Sequence, residues 1–124
     1  MLCVFIPCAV LSQQKAADCS VYKNGEFTYL NDSSQVVEVE RRGKYQIERN
    51  RQTGEVQKFV VKWNNSCEYQ IKQFATNRKA SKKNNGRILK IQITKLYGDR
   101  YEYTCLCPTS ENVTNFSGTM IKVK

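Results

Sequence analysis

Histidine is absent from this 124-residue chain. Without it there is no ordinary Ser-His-Asp or Cys-His triad, no imidazole proton shuttle near neutral pH and no histidine-containing zinc site. Carboxylate pairs, lysine or tyrosine would have to carry any reaction, and none forms a clear constellation, so no enzymatic activity is expected. Apolar runs are short as well. The longest, Met1 to Leu11, falls well below the ~20 residues that a membrane-spanning helix needs. Helical spacing of apolar residues is missing throughout, and acidic residues are few: 20 Lys and Arg face 11 Asp and Glu, a formal charge of +9. That balance permits contact with nucleic acid, anionic glycans or acidic lipid headgroups without choosing among them.

The apolar start, with Val10-Leu11-Ser12 ahead of Gln13, matches the hydrophobic core and cleavage site of a secretion signal. Residues 1–12 are therefore expected to be a truncated signal peptide and 13–124 a single domain. The missing positive flank implies a natural start further upstream. A first buried strand is the competing reading of the same run. Neither Pro7-Cys8 nor Asp18-Cys19 has the small residue that a lipoprotein signal places before its cysteine. Soluble export, to the periplasm or outside the cell, is the expectation.

Removing the signal leaves Cys19, Cys67, Cys105 and Cys107, an even number that favours at least one disulfide in an exported chain. Cys105 and Cys107 sit two apart on one strand face, roughly 7 Å from each other and too far to bridge while that strand stays extended. We pair Cys19 with Cys67, which closes a loop of about 48 residues and adds on the order of 4 kcal/mol by the chain-entropy model. A four-cysteine metal site is the rival, disfavoured because the lone C-x-C lacks paired C-x-x-C spacing. No metal or cofactor is expected.

What the chain has in quantity is alternation. Phe27 and Tyr29 alternate with Glu26 and Thr28. Val37 and Val39 alternate with Glu38 and Glu40, and the doubled Val36-Val37 suggests a bulge or an irregular start. Tyr45 and Ile47 read as one face against Gln46 and Glu48. Phe59, Val61 and Trp63 point inward with Lys58 and Lys62 outward. Cys67, Tyr69 and Ile71 follow, then Leu89, Ile91 and Ile93, then Tyr101, Tyr103, Cys105 and Cys107, and a last strand over 118–124. The turns are Asn31 to Ser34, Arg42-Gly43, Asn50 to Gly54, Asn64 to Ser66 and Gly98-Asp99. Residues 76–86 and 108–115 read as solvated loops.

Consecutive strands with short connections pair as antiparallel neighbours. Eight of them with one apolar face must curl into a barrel or half-barrel. The fold expected is all-β, an antiparallel meander of lipocalin-like form, and Tyr22, Gly25 and Phe27 resemble the first-strand signature of lipocalin-like proteins. A wider resemblance runs from Cys19-Ser20-Val21-Tyr22-Lys23-Asn24-Gly25-Glu26-Phe27 through Arg49 to Gly54 and Val61-Lys62-Trp63-Asn64-Asn65-Ser66-Cys67-Glu68-Tyr69 to Gly118-Thr119-Met120-Ile121-Lys122-Val123. It is similar to a family of small exported bacterial β-meander proteins, largely uncharacterised, some of which bear the label DNA topoisomerase IV. A chain of this length has room neither for an ATPase nor for a DNA-gate domain, and an exported protein does not meet the chromosome.

Two binding readings follow. A cavity for a small apolar or amphipathic molecule would be lined by Phe27, Tyr29, Phe59, Trp63, Tyr69, Ile91 and Tyr103, with Tyr22, Tyr45 and Tyr101 adding rings whose hydroxyls reach a mouth. Alternatively, Arg78, Lys79, Lys82, Lys83 and Arg87 would grip a polyanion such as nucleic acid or glycan. A structural or interaction module is the plainer form of the first reading, and a monomer is expected. Glu38, Glu40, Glu48, Glu55 and Glu68 read as solvent-face charges pairing across the ladder. Asn31, Asn64, Asn112 and Asn115 begin N-x-S/T triplets, which are turn chemistry in a bacterial product and glycan acceptors in a eukaryotic secreted one.

Overall fold

A computed structural model describes residues 18–108 and 113–124, with side chains over 18–106 and 116–124. The expected signal segment, Asn112, and the Cys107 and Asn115 side chains lie outside what the structure describes. Eight antiparallel strands follow one another around a closed barrel. They are β1 (Gly25–Leu30), β2 (Val36–Arg42), β3 (Tyr45–Asn50), β4 (Val56–Asn65), β5 (Glu68–Thr76), β6 (Ile88–Leu96), β7 (Arg100–Pro108) and β8 (Val113–Lys122). Every strand pairs with its chain neighbour, and β1 meets β8 at Phe27 opposite Lys122 and Thr28 opposite Ile121. The lipocalin-like barrel is the architecture that eight alternating runs require, because closure removes both sheet edges and encloses the apolar face.

Four expectations are corrected. β2 pairs regularly from Val36 opposite Leu30, so Val36-Val37 makes no bulge; register shifts fall instead at Lys58/Phe59, Trp63/Asn65 and Ile93/Lys95. Part of the 76–86 loop winds into a 3-10 helix, Lys79–Asn84, and β8 begins at Val113, upstream of Gly118. The fourth concerns β3, whose inward residues are Gln46 and Glu48 while Tyr45 is 48% exposed. The two-residue turn Gly43-Lys44 sets this register, with Gly43 at φ 59°, the left-handed value such a hairpin needs at its first central position. Arg42 then faces Tyr45, which puts Gln46 opposite Arg41 and Glu48 opposite Val39. Directly opposed residues share a face, so both polar side chains go inside with Val39.

One end of the barrel is stoppered. A 3-10 turn, Ser20–Tyr22, crosses it before β1. Cys19 is bonded to Cys67 in the β4–β5 turn, a link between residues 48 apart. The Tyr22 hydroxyl donates to the carbonyls of Gly98 (2.8 Å) and Arg100 (3.1 Å), and Lys122 Nζ donates to Val21 O (2.7 Å). Gly25 leads from this plug into β1 because a Cβ there would meet Lys124 O at 2.5 Å. Cys105 is fully buried and also disulfide-bonded.

The disulfide therefore fixes the stopper as well as shortening the unfolded chain. Replacing Cys19 and Cys67 together with serine should lower stability by about 4 kcal/mol, read from urea unfolding. A loss under about 1 kcal/mol would show that the hydrogen bonds of Tyr22 and Lys122 hold the plug unaided.

Candidate functional site

Alternation along β2 carries Val37 and Val39 inward, and Arg41 follows them with no solvent exposure at all. Its guanidinium lies 4.7 Å from the ring centres of both Phe27 and Tyr69, where the ring faces attract a cation. Nε donates to Gln46 Oε1 (2.8 Å) and Nη1 to Tyr22 O (2.7 Å). Nη2 donates to the hydroxyls of Tyr69 (3.2 Å) and Tyr101 (3.3 Å), which are themselves 2.8 Å apart. A buried charge is tolerable only when its donors are so occupied. This layer seals the interior just above the plug.

Gln46 relays the charge upward. Its Nε2 donates to Glu48 Oε2 (2.7 Å), and the Tyr29 hydroxyl donates to Glu48 Oε1 (2.6 Å). Glu48 is 7% exposed. Burial pushes its carboxyl above the ordinary carboxylate range, outweighing the Tyr29 and Gln46 hydrogen bonds and the nearby Arg41 charge, which pull it down. Burial and the neighbouring Glu48 likewise push the Tyr29 and Tyr103 phenols up. The expectation that Glu48 is a solvent-face charge fails with the inverted face of β3.

Above the relay the barrel opens into a cavity of about 270 Å³. Its walls are Phe59, Ile71, Leu89, Ile91 and Met120, and its polar groups are Tyr29, Glu48, Gln57, Gln73 and Tyr103. An eight-stranded barrel of this kind is just wide enough to hold one small ligand. Room on the β8 side comes from Gly118, where a Cβ would stand 2.6 Å from the Tyr103 hydroxyl. That hydroxyl makes no hydrogen bond among the described residues.

The expected cavity residues divide between the two ends. Tyr29, Phe59, Tyr69, Ile91 and Tyr103 line the cavity. Phe27 packs on Arg41 below it. Trp63 is half-buried against Tyr69, ring centres 4.7 Å apart, with Lys23 Nζ 5.5 Å from its ring, and it does not reach the cavity. Tyr22 and Tyr101 belong to the plug and seal, and Tyr45 lies outside the barrel against Phe74. Sequence reasoning missed Arg41, Gln46 and Gln73. The signal was present, since Val37-x-Val39-x-Arg41 and Tyr69-x-Ile71-x-Gln73 continue an inward row without a break.

The basic segment sits at the cavity mouth, where Arg78 is paired with Glu55. Arg78 Nη1 is 3.2 Å from Glu55 Oε1, and Ser81 Oγ donates to Glu55 Oε2 (2.7 Å), so Glu55 anchors the loop. Gln73, buried in the barrel, donates from Nε2 to Ser81 O and Asn85 Oδ1 (both 3.0 Å) and accepts from Gln57 Nε2 (2.8 Å). Arg87 and Asn84 line the mouth opposite Asp32, leaving Lys79, Lys82 and Lys83 exposed. Glu38 and Glu40 do face Arg51 and Arg49 at 3.6 and 3.7 Å. The Asn31 Oδ1 accepts from the Ser33 and Gln35 amides, which is turn chemistry. No family model matches the chain, and no curated protein or solved structure matches it, so geometry alone carries the functional argument.

Glu48 binds its proton more tightly folded than unfolded, so its contribution to stability is full below the ordinary carboxylate range. The contribution is lost as pH rises through the elevated folded value. The exposed Asp18, Glu40 and Asp99 carboxyls are shifted down and act in the opposite sense. The difference between the natural chain and Glu48→Gln isolates the buried group. That difference should move in favour of Glu48→Gln as pH is raised from 4 to 8 in urea titrations, and a flat difference would place the carboxyl in contact with solvent.

Proposed function

We propose that this chain is an exported, monomeric lipocalin-like binding domain that holds a small amphipathic molecule in the open half of its barrel. The observation that carries this reading is the cavity of about 270 Å³, apolar on its walls and polar at its base and rim. Binding sites for small molecules combine a mostly apolar concavity with a few placed polar groups. The volume lies just under the usual range for drug-sized ligands, which favours a smaller guest. Pre-formation supports the same reading: the plug, the Arg41 layer and the Gln73 tether all fix the walls before any ligand arrives. The disulfide suits an oxidising compartment.

A second reading draws on charge. Lys79, Lys82 and Lys83 are exposed on the 3-10 helix, and Lys58, Lys62, Lys72 and Lys90 are exposed on the outside of β4 to β6. A polyanion laid along this side would displace counterions from it.

Native mass spectrometry of protein taken from its own host should show a small molecule retained on the chain. With purified protein, the neutral fluorophore prodan should brighten and shift blue on binding. Leu89→Trp, which fills the cavity, should weaken prodan binding about tenfold or more, at a cost of roughly 1–3 kcal/mol from overpacking. Unchanged affinity would remove the cavity reading. In the same preparation, Lys79→Gln, Lys82→Gln and Lys83→Gln together should leave heparin or single-stranded DNA binding weak and unaltered. A loss of about tenfold, with a flatter salt dependence and preserved melting temperature, would move the polyanion reading to first place.

A further inference from the structure

The ligand class can be read from Glu48, a buried carboxyl in the wall of the cavity. Glu48 is more than nine-tenths buried and lines the cavity. Each of its carboxylate oxygens receives one protein hydrogen bond, from Tyr29 to Oε1 and from Gln46 to Oε2. A carboxylate offers about four acceptor sites, so acceptor capacity is left over on the cavity side. No protein donor is directed at it there among the described residues. The buried cation is arranged the opposite way. Arg41 does not line the cavity, and its hydrogen bonds run to Gln46, Tyr22, Tyr69 and Tyr101. A ligand carboxylate at the base of the cavity would therefore lie beside Glu48 and out of reach of Arg41, with the other lining guanidinium, Arg87, near Asn84 in the basic segment. A ligand with N–H donors would find an acceptor already oriented by two hydrogen bonds.

We propose that the barrel binds a small ammonium compound with an apolar body, its N–H groups donating to Glu48 and its body lying against Phe59, Ile71, Leu89 and Ile91. This rests on the cavity being a ligand site at all. The Tyr103 hydroxyl, unengaged among the described residues, supplies a second acceptor in the same cavity. Gln46 holds the carboxylate in place by tying it to the immobile Arg41 layer. The head group is thus fixed by β1, β2 and β3, and the body is packed by β4, β5 and β6. Asp32 lines the cavity together with Arg87 and offsets part of the positive charge of the basic segment there.

Isothermal titration calorimetry with 2-phenylethylamine, 2-phenylethanol and 3-phenylpropionate tests the assignment on one aromatic body with three head groups. The amine should bind at least about tenfold more tightly than the alcohol, because a hydrogen bond to a charged group is worth more than one to a neutral group, and a tenfold ratio needs a difference of only about 1.4 kcal/mol. The carboxylate should bind most weakly. Glu48→Gln should lower the affinity for the amine about tenfold or more and remove most of its advantage over the alcohol. Equal affinity for amine and alcohol, a preference for the carboxylate, or an amine affinity untouched by Glu48→Gln would each overturn the ammonium assignment. If prodan and the alcohol bind while the amine shows no advantage, the cavity reading stands and only the ligand class falls; if neither binds, both fall. Should Glu48→Gln fail to fold, the ratios in the natural chain decide alone.

Discussion

The rest of the interior is arranged around one buried guanidinium. Arg41 cannot lose its charge, so a fully enclosed position demands acceptors and ring faces from every side. Those come from five different places in the chain: the plug at Tyr22, β1 at Phe27, β3 at Gln46, β5 at Tyr69 and β7 at Tyr101. A barrel that closed with a different register would strand at least one of these contacts, and an unpaired buried charge costs several kcal/mol. The residue thus penalises alternative closures more than an aliphatic side chain would, since aliphatic cores tolerate repacking.

The same layer divides the molecule by function. Below it, the disulfide, the Tyr22 hydrogen bonds and the 3-10 turn make a rigid base. Above it the barrel encloses open volume, and Glu48 there is tied to the base through Gln46. Gln46 is the hinge between the two halves, because one amide accepts from Arg41 and donates to Glu48. At the opposite rim Gln73 performs a similar task, tying the basic loop to the barrel wall through Ser81 and Asn85. Both glutamines are buried, 1% and 3% exposed, and both have their amide oxygens and nitrogens engaged.

Much of the barrel was legible because period-two alternation states which residues share a face, and the inward faces of six strands, β1, β2, β4, β5, β6 and β7, read correctly from it over the described residues. The failure at β3 has a definite cause. Tyr45 and Ile47 are apolar and Gln46 and Glu48 are polar, so hydrophobicity alone selects the wrong face. Pairing across the Gly43-Lys44 turn would have selected the right one, since Val39 must stand opposite a residue on its own side. The 3-10 helix at Lys79–Asn84 carries no apolar period, being held by Glu55 and Gln73 from outside the segment. The exclusion of Phe27 and Trp63 from the cavity depends on how far up the barrel the Arg41 layer sits. No local pattern encodes that height.

A charge account of the interior explains why a buried acid and a buried base are kept a glutamine apart. The groups that bear on Glu48 are Arg41 and Gln46 on β2 and β3, Tyr29 on β1 and Tyr103 on β7. Burial pushes both phenols up, so they stay neutral, and Arg41 is the permanent charge among these groups. At any pH where Glu48 holds its proton, these groups together carry that single positive charge. An ammonium ligand that enters as the proton leaves restores the same total, one cation replacing another at the carboxylate while Arg41 is undisturbed. The exchange needs no new net charge in a low-dielectric space, which is the most costly step in burying an ion. Direct contact between Arg41 and Glu48 would forbid it, because the guanidinium would occupy the acceptor sites that the ligand requires. The intervening amide of Gln46 keeps the two charges coupled and leaves one face of the acid open.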